Sequence, residues 1–250
     1  MPTVTINADD FGLNEHCSKA IAETFEKGLV TDTTMMATGE YFDEAVALAK
    51  ERGFIDQIGI HLNLTEGVPL TDEIKRCPRF VTEGRFNKKY DRTKRLTTEE
   101  KDAIYKELTA QTEKIQAAGI TITHADSHHH IHTGLFVAPI ASRVCHEHGI
   151  NKIRLHRNAG QIPLLKRIVK GIFNKWLRKQ GFITTDYFAY VMDIDGFKVP
   201  DNTEIMIHPD YDKDGKLIDR RGMENGSPIG NPIPPYGAQP KIILRGYKEL

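Results

Sequence analysis

Residues 124 to 132 read His124-Ala125-Asp126-Ser127-His128-His129-His130-Ile131-His132, five of the chain's eleven histidines in nine positions. Imidazole nitrogens interleaved with a carboxylate are ligands for a divalent cation such as zinc, magnesium, manganese or cobalt. Ile120-Thr121-Ile122-Thr123 before them is β-branched and follows Gly119, so the tract is expected to begin as the end of a strand. In an extended run His124, Asp126, His128, His130 and His132 share a face, but at ~3.3 Å per residue the outer two stand ~26 Å apart. One ion therefore reaches about two of them, and further ligands must come from elsewhere. A solvated histidine-rich loop is the competing reading.

The elements that would position such ligands alternate. Thr3 to Ala8 reads as a strand ending in the turn cluster Asp9-Asp10-Phe11-Gly12, and Asn14 caps a helix running to about Lys27. Val30 to Thr38, Gln57 to Leu64, Lys152 to Leu155, Thr184 to Tyr190 and Thr203 to His208 are expected as further strands. Helices are expected over Tyr41 to Arg52, from the capping box Thr97/Glu100 to Ala118, over Leu135 to His148 and over Pro163 to Lys179. Such alternation predicts a parallel sheet with crossover helices, and at 250 residues with 39% hydrophobic content a (β/α) barrel. Residues 66–96 show no sustained period and read as a long loop or lid, and 210–250 as an ordered tail with Ile242-Ile243-Leu244 as a final strand.

Asp9, Asp10, His61, Asp126, His128, His130, Arg154 and His208 all fall at or near the C-terminal ends of these strands, where parallel α/β folds gather their active sites. Two imidazoles with one carboxylate leave coordination positions open, as a hydrolytic ion requires. Thirty-four basic residues balance 34 acidic ones, so net charge draws the chain to neither nucleic acid nor membrane. Cys17, Cys77 and Cys145 are scattered without a paired motif, which suits the cytoplasm.

Four blocks carry a resemblance: Ile6 to Gly12, Gly59 to Leu64, Asp126 to His132, and Glu204 to Pro209. In this order they resemble the YdjC-like carbohydrate deacetylases of the ChbG type. The resemblance implies a distorted (β/α) barrel, single over 1–250, that uses one divalent ion, magnesium or zinc, to remove an N-acetyl group from an amino sugar. A chito-oligosaccharide or its phosphate is the implied substrate, with a homodimer open. By the same resemblance Asp10, His61 and His128 hold the metal, Asp9 is the general base and His208 the general acid. Neighbouring residues at a strand end point to different sides, so one aspartate can bind the ion while the other faces the activated water. Asp126 is expected to orient a ligating imidazole and Arg154 to orient Asp9 or the substrate; His130 is a second-shell partner, a substrate contact or a replacement ligand.

Other signals carry less. Asp210 to Gly215 matches the start of a calcium loop, but Arg221 stands where a bidentate Glu is needed, so a turn is expected. Cys145-His146-Glu147-His148 reads as helix surface. From Gly149 to Thr185 there are nine Lys or Arg and no acid; the helical stripe Leu165, Ile168, Val169, Ile172, Phe173, Trp176 is expected to face the core or an interface. A barrel phosphoesterase or amidohydrolase usually carries a His-x-His pair after its first strand, where this chain has two aspartates. A metal-dependent sugar-binding protein without catalysis has no need of the second aspartate.

Overall fold

A computed structural model describes residues 1–193, 199–220, 231–232 and 242–250. The chain runs β1 (Thr3–Phe11), α1 (Glu15–Glu26), β2 (Asp32–Met35), α2 (Phe42–Glu51), β3 (Ile58–Leu62), α3 (Asp72–Lys75), β4 (Val81–Thr82), β5 (Arg85–Phe86), α4 (Thr98–Ala117), β6 (Ala125–Ser127), α5 (Ala138–Glu147), α6 (Leu164–Lys179), β7 (Tyr187–Tyr190), β8 (Thr203–Ile207), β9 (Pro209–Tyr211), β10 (Leu217–Asp219), β11 (Asn231–Pro232) and β12 (Ile243–Leu244). Parallel strands in the order β6-β3-β2-β1-β8-β7 form the main sheet, and β12 pairs with the start of β1. Its two edges approach each other through residues 151 to 154. Arg154 N–H donates to the Ala125 carbonyl (2.9 Å), and Ile153 N–H to that of Ile183 (3.2 Å). The result is the expected distorted (β/α) barrel. Strands covered on both faces need apolar residues almost throughout, and β1 and β8 are buried along nearly their whole length.

Helix starts follow the side chains expected to cap them. Asn14 Oδ1 accepts from Cys17 N–H (2.9 Å), and Thr97 and Glu100 form a reciprocal capping box. A Cβ at Gly59 would fall 2.6 Å from the His124 ring, so β3 can pass this side chain only as glycine. Asp210 to Gly215 forms the expected turn between β9 and β10, with Asp212 Oδ1 accepting from Asp214 and Lys216 N–H (both 2.9 Å). Arg221 and much of the tail expected over 210–250 lie outside the described residues.

Several expectations need correction. Ile120 to Thr123 forms no ladder; it touches β3 through single bonds such as Thr123 N–H to the Ile58 carbonyl (3.0 Å), and β6 begins only at Ala125. After Ser127 the chain enters a tight helical turn, His128–Thr133, in which His129 (φ 51°) and His130 (φ 54°) are left-handed. The extended histidine face is therefore absent, because two consecutive reversals of backbone hand redirect each imidazole. Lys152 to Leu155 is reduced to isolated bridges. Residues 66–96 contain α3 and the β4–β5 hairpin, elements too short to show a period, and Ile74 and Phe80 anchor them in the core. The stripe on α6 faces outward at Leu165, Ile168, Val169 and Ile172 rather than into the core. Among the described residues no helix is long and apolar enough to cross a membrane.

The C-terminal turn closes the barrel end opposite Asp10, His61 and His128. Tyr247 is fully buried, its N–H donates to Asp32, and Lys152 Nζ donates to its carbonyl (2.6 Å). Burial raises the Asp32 carboxyl to about 7 despite these contacts. A folded-state value above the unfolded one means that Asp32 stabilises the fold fully below about pH 4 and loses that contribution as pH rises toward 7. Asp32→Asn is therefore expected to melt above the parent at pH 8, with the advantage shrinking at pH 5. Thermal melts at the two pH values check the trend.

Candidate metal centre

Strand β1 ends in a local break of register against β2 between Ala8 and Phe11, and within it Asp10 adopts a left-handed backbone (φ 73°). Aspartate tolerates this conformation better than most residues, and the cost of holding it is of order 1–3 kcal/mol. Its effect is to send the two neighbouring carboxylates to different partners. Asp10 Oδ1 lies 2.8 Å from His128 Nδ1 and 3.2 Å from His61 Nε2.

His61 stands on β3 directly across from Asp126 on β6. Its Nδ1 is 2.6 Å from Asp126 Oδ1, and the Thr34 hydroxyl of β2 donates to Asp126 Oδ2 (3.1 Å). A carboxylate only accepts, so this contact assigns a proton to Nδ1 and directs Nε2 at Asp10, where it would give up its own proton to bind an ion. His128, at the first position of the tight turn, offers Nδ1 to the same point, while its Nε2 lies 3.2 Å from Glu66 Oε2. Each imidazole thus faces the shared point with one nitrogen and a carboxylate with the other, the second-shell arrangement that orients metal-bound histidines.

The donor atoms of Asp10, His61 and His128 lie within 4.8 Å of one another, and all three residues are buried. The local field favours positive charge. Burial works against the protonated His61 ring, but Asp126 and Asp10 outweigh it and push its pKa up to about 10. One carboxylate with two oriented imidazoles and an open side fits a divalent cation.

Asp9 takes no part in that triangle. Burial opposes its charge, yet the Arg154 guanidinium holds its carboxyl well below the usual range. Arg154 grips both Asp9 oxygens at 2.7 Å and sends further bonds to Glu204 Oε1 (2.6 Å) and Asp126 Oδ2 (2.5 Å). Asn7 Nδ2 adds a bond to Asp9 Oδ1 (2.8 Å). His208, just past β8, brings its Nε2 to 3.9 Å from Asp9 Oδ2. The two aspartates, His61, His128, His130 and His208 line a cavity of about 280 Å³, together with Arg220.

The eight residues expected from sequence therefore converge here, with distinct environments. His130 is on the cavity wall, its Nε2 3.1 Å from the Tyr190 hydroxyl, and it is His128 that joins Asp10 and His61. His124 and His132 are buried structural groups: His124 stacks on Tyr247, and burial depresses His132 to about 3. Three contributors were not read from sequence. Thr34 was visible only as a polar residue inside a buried strand, Glu66 as an acid five residues after His61. Arg220, whose Nη2 is 2.5 Å from Asp10 Oδ2, gives no motif signal at all.

Metal content should follow this geometry. His61→Ala and His128→Ala each remove a donor and are expected to abolish stoichiometric retention of a divalent ion. Asp126→Asn leaves all three donors in place but weakens the support of His61, and should cost ~10–100-fold in affinity. Elemental analysis and competition with a chelator measure both; full retention by the two alanine variants would place the ion elsewhere.

A family model described as "YdjC-like protein" matches residues 3–229. Over 209 residues the chain is 34% identical to carbohydrate deacetylase 1 of Listeria innocua serovar 6a, covering 83% of this chain and 81% of that one. A carbohydrate deacetylase of Vibrio parahaemolyticus is 31% identical over 228 residues, 88% of this chain and 82% of its own length. A crystal structure from Enterococcus faecalis V583, provisionally described as a cellobiose-phosphate cleavage protein, superposes with a TM-score of 0.66 at 24% identity over 84% and 82% of the two chains, a likeness of fold. The match over nearly the whole chain shows that the protein belongs to the YdjC-like family.

Proposed function

We propose that this chain is a metal-dependent hydrolase that removes the N-acetyl group from an amino sugar, with a chito-oligosaccharide or its phosphate as substrate. Kinship makes it a carbohydrate deacetylase, since relatives at 30–38% identity bear that name. The observation that carries the mechanism is the division of two adjacent carboxylates into one that joins two imidazoles and one gripped through both oxygens by an arginine. Asp10, His61 and His128 would hold a divalent ion, magnesium or zinc, which would supply Lewis acidity and lower the pKa of the attacking water.

The chain's own groups perform the remaining work. Asp9 stays ionised at the cavity wall because Arg154 faces it, and its carboxylate accepts a proton from the attacking water. Attack on the acetamide carbon gives a tetrahedral intermediate; the C–N bond breaks, and acetate and the amine leave. His208, beyond Asp9, delivers the proton that the departing nitrogen needs. His130, backed by Tyr190, offers a ring face and edge to the sugar, and Arg220 places a cation in the cavity where a phosphate or hydroxyl can meet it. The free cysteines fit a cytoplasmic enzyme.

Asp9→Asn keeps size and removes the base, so bound metal should remain while kcat for acetate release falls by ~10²–10⁴. Asp10→Asn should lose the metal first and regain part of its activity at high metal concentration. Acetate release from N-acetylated chito-oligosaccharides, with and without chelator, reads both. Loss of metal from Asp9→Asn with retention in Asp10→Asn would exchange the two roles, and near-normal turnover in both would leave sugar binding without catalysis as the better account.

A further inference from the structure

Helix α6 carries one broad apolar arc, and most of it turns away from the barrel. Asn174 and Leu177 are its buried residues, with Phe173 and Trp176 packed against the core from the adjoining side. Leu164, Leu165, Ile168, Val169 and Ile172 recur at helical spacing along the arc that also carries Trp176 and are between 53% and 75% exposed. Leu135, 74% exposed, borders the same surface; an apolar groove of about 460 Å³ joins it to Val169, Ile172 and Trp176. Single exposed leucines are ordinary, but six contiguous large apolar side chains mark an interaction surface.

The charge around this stripe is one-sided. Residues 164 to 179 contain Lys166, Arg167, Lys170, Lys175, Arg178 and Lys179 and no Asp or Glu. On α1, by contrast, Lys19 and Lys27 pair with Glu15 and Glu23 one turn away. On α6 Arg178 approaches Asp186 of the neighbouring segment at 3.8 Å, and the helix itself supplies no counter-ion. The overall balance of 34 basic and 34 acidic residues conceals this local excess. An exposed apolar stripe with a cationic surround requires an occupant that is apolar within and anionic at its surface. We infer that α6 and Leu135 dock the protein on an anionic phospholipid bilayer, the helix lying in the headgroup plane with its stripe turned inward. A second copy of the chain is the poorer occupant, because a two-fold contact through this face brings the same six cations together.

The docked orientation follows from the fold. In a βα unit the helix begins at the end of the barrel where the strand finishes, so Leu164 to Ile168 stand at the catalytic end. Thr133 lines the apolar groove and donates its hydroxyl to the carbonyl of His130, which lines the catalytic cavity. Docking therefore brings the cavity mouth close to the lipid headgroups.

Co-sedimentation with vesicles tests the inference, using phosphatidylcholine alone and phosphatidylcholine mixed with phosphatidylglycerol. The parent should bind the anionic vesicles, release from them as salt is raised, and bind neutral vesicles about tenfold more weakly or worse. Ile168→Glu/Ile172→Glu and Lys166→Glu/Arg167→Glu should each lose about tenfold or more of that binding with unchanged thermal melts, since these side chains are exposed. Failure of the parent to sediment with anionic vesicles, or equal sedimentation of parent and variants, would overturn the inference. So would sedimentation equilibrium showing a dimer that Ile168→Glu/Ile172→Glu converts to a monomer, because the stripe would then be covered by a second copy.

Discussion

Arg154 is fully buried and holds three buried carboxylates at once, Asp9 from β1, Asp126 from β6 and Glu204 from β8. Removing a cation from such a cluster leaves uncompensated charge in the interior, a loss of ~3–5 kcal/mol for a single buried pair. The Phe188 ring, 4.8 Å from the guanidinium, packs beside it. From Glu204 the network continues to the Tyr247 hydroxyl, so the C-terminal turn at one end of the barrel and the aspartates at the other share one set of bonds. Burial raises Glu204 to about 7 even with Arg154 beside it, which marks how much negative charge this arginine must balance.

Everything distinctive about the site depends on that arrangement. By fixing Asp9, the arginine keeps a carboxylate at the cavity wall that cannot swing over to join Asp10. By fixing Asp126, it fixes the ring of His61, whose Nδ1 has no other orientation that keeps this bond. The left-handed Asp10 is the complementary device on the backbone side, and its strain persists because β2 pairs with β1 before it at Ala8 and after it at Phe11. Metal binding and base catalysis thus come from neighbouring residues separated by one backbone reversal and one guanidinium.

The sequence made the scaffold legible where chemistry is local. Asn14 and the Thr97/Glu100 pair announce helices because capping needs only residues three positions apart, and Asp9-Asp10 announces a site because polar groups end an apolar strand. The histidine tract shows the limit. Five imidazoles that look equivalent in sequence divide into a cluster member (His128), a wall residue (His130), one held by the Thr65 hydroxyl (His129) and two neutral buried groups (His124, His132), because two left-handed residues turn the chain in a way no residue pattern encodes. Arg220 and Glu66 reach the site from loops, where position is set by tertiary packing. On α6 the apolar period was visible, but periodicity does not tell which side meets protein.

The most direct test of the account is a double-mutant cycle between Arg154→Lys and Asp9→Asn, read as kcat for acetate release at saturating metal, with a thermal melt on each variant. If Arg154 acts on the chemistry chiefly by holding the base, Arg154→Lys should slow the parent far more than it slows Asp9→Asn, in which only its support of Asp126 and His61 is left to lose. Losses that multiply, in variants that still melt cooperatively, would contradict this and give the arginine and the aspartate independent roles.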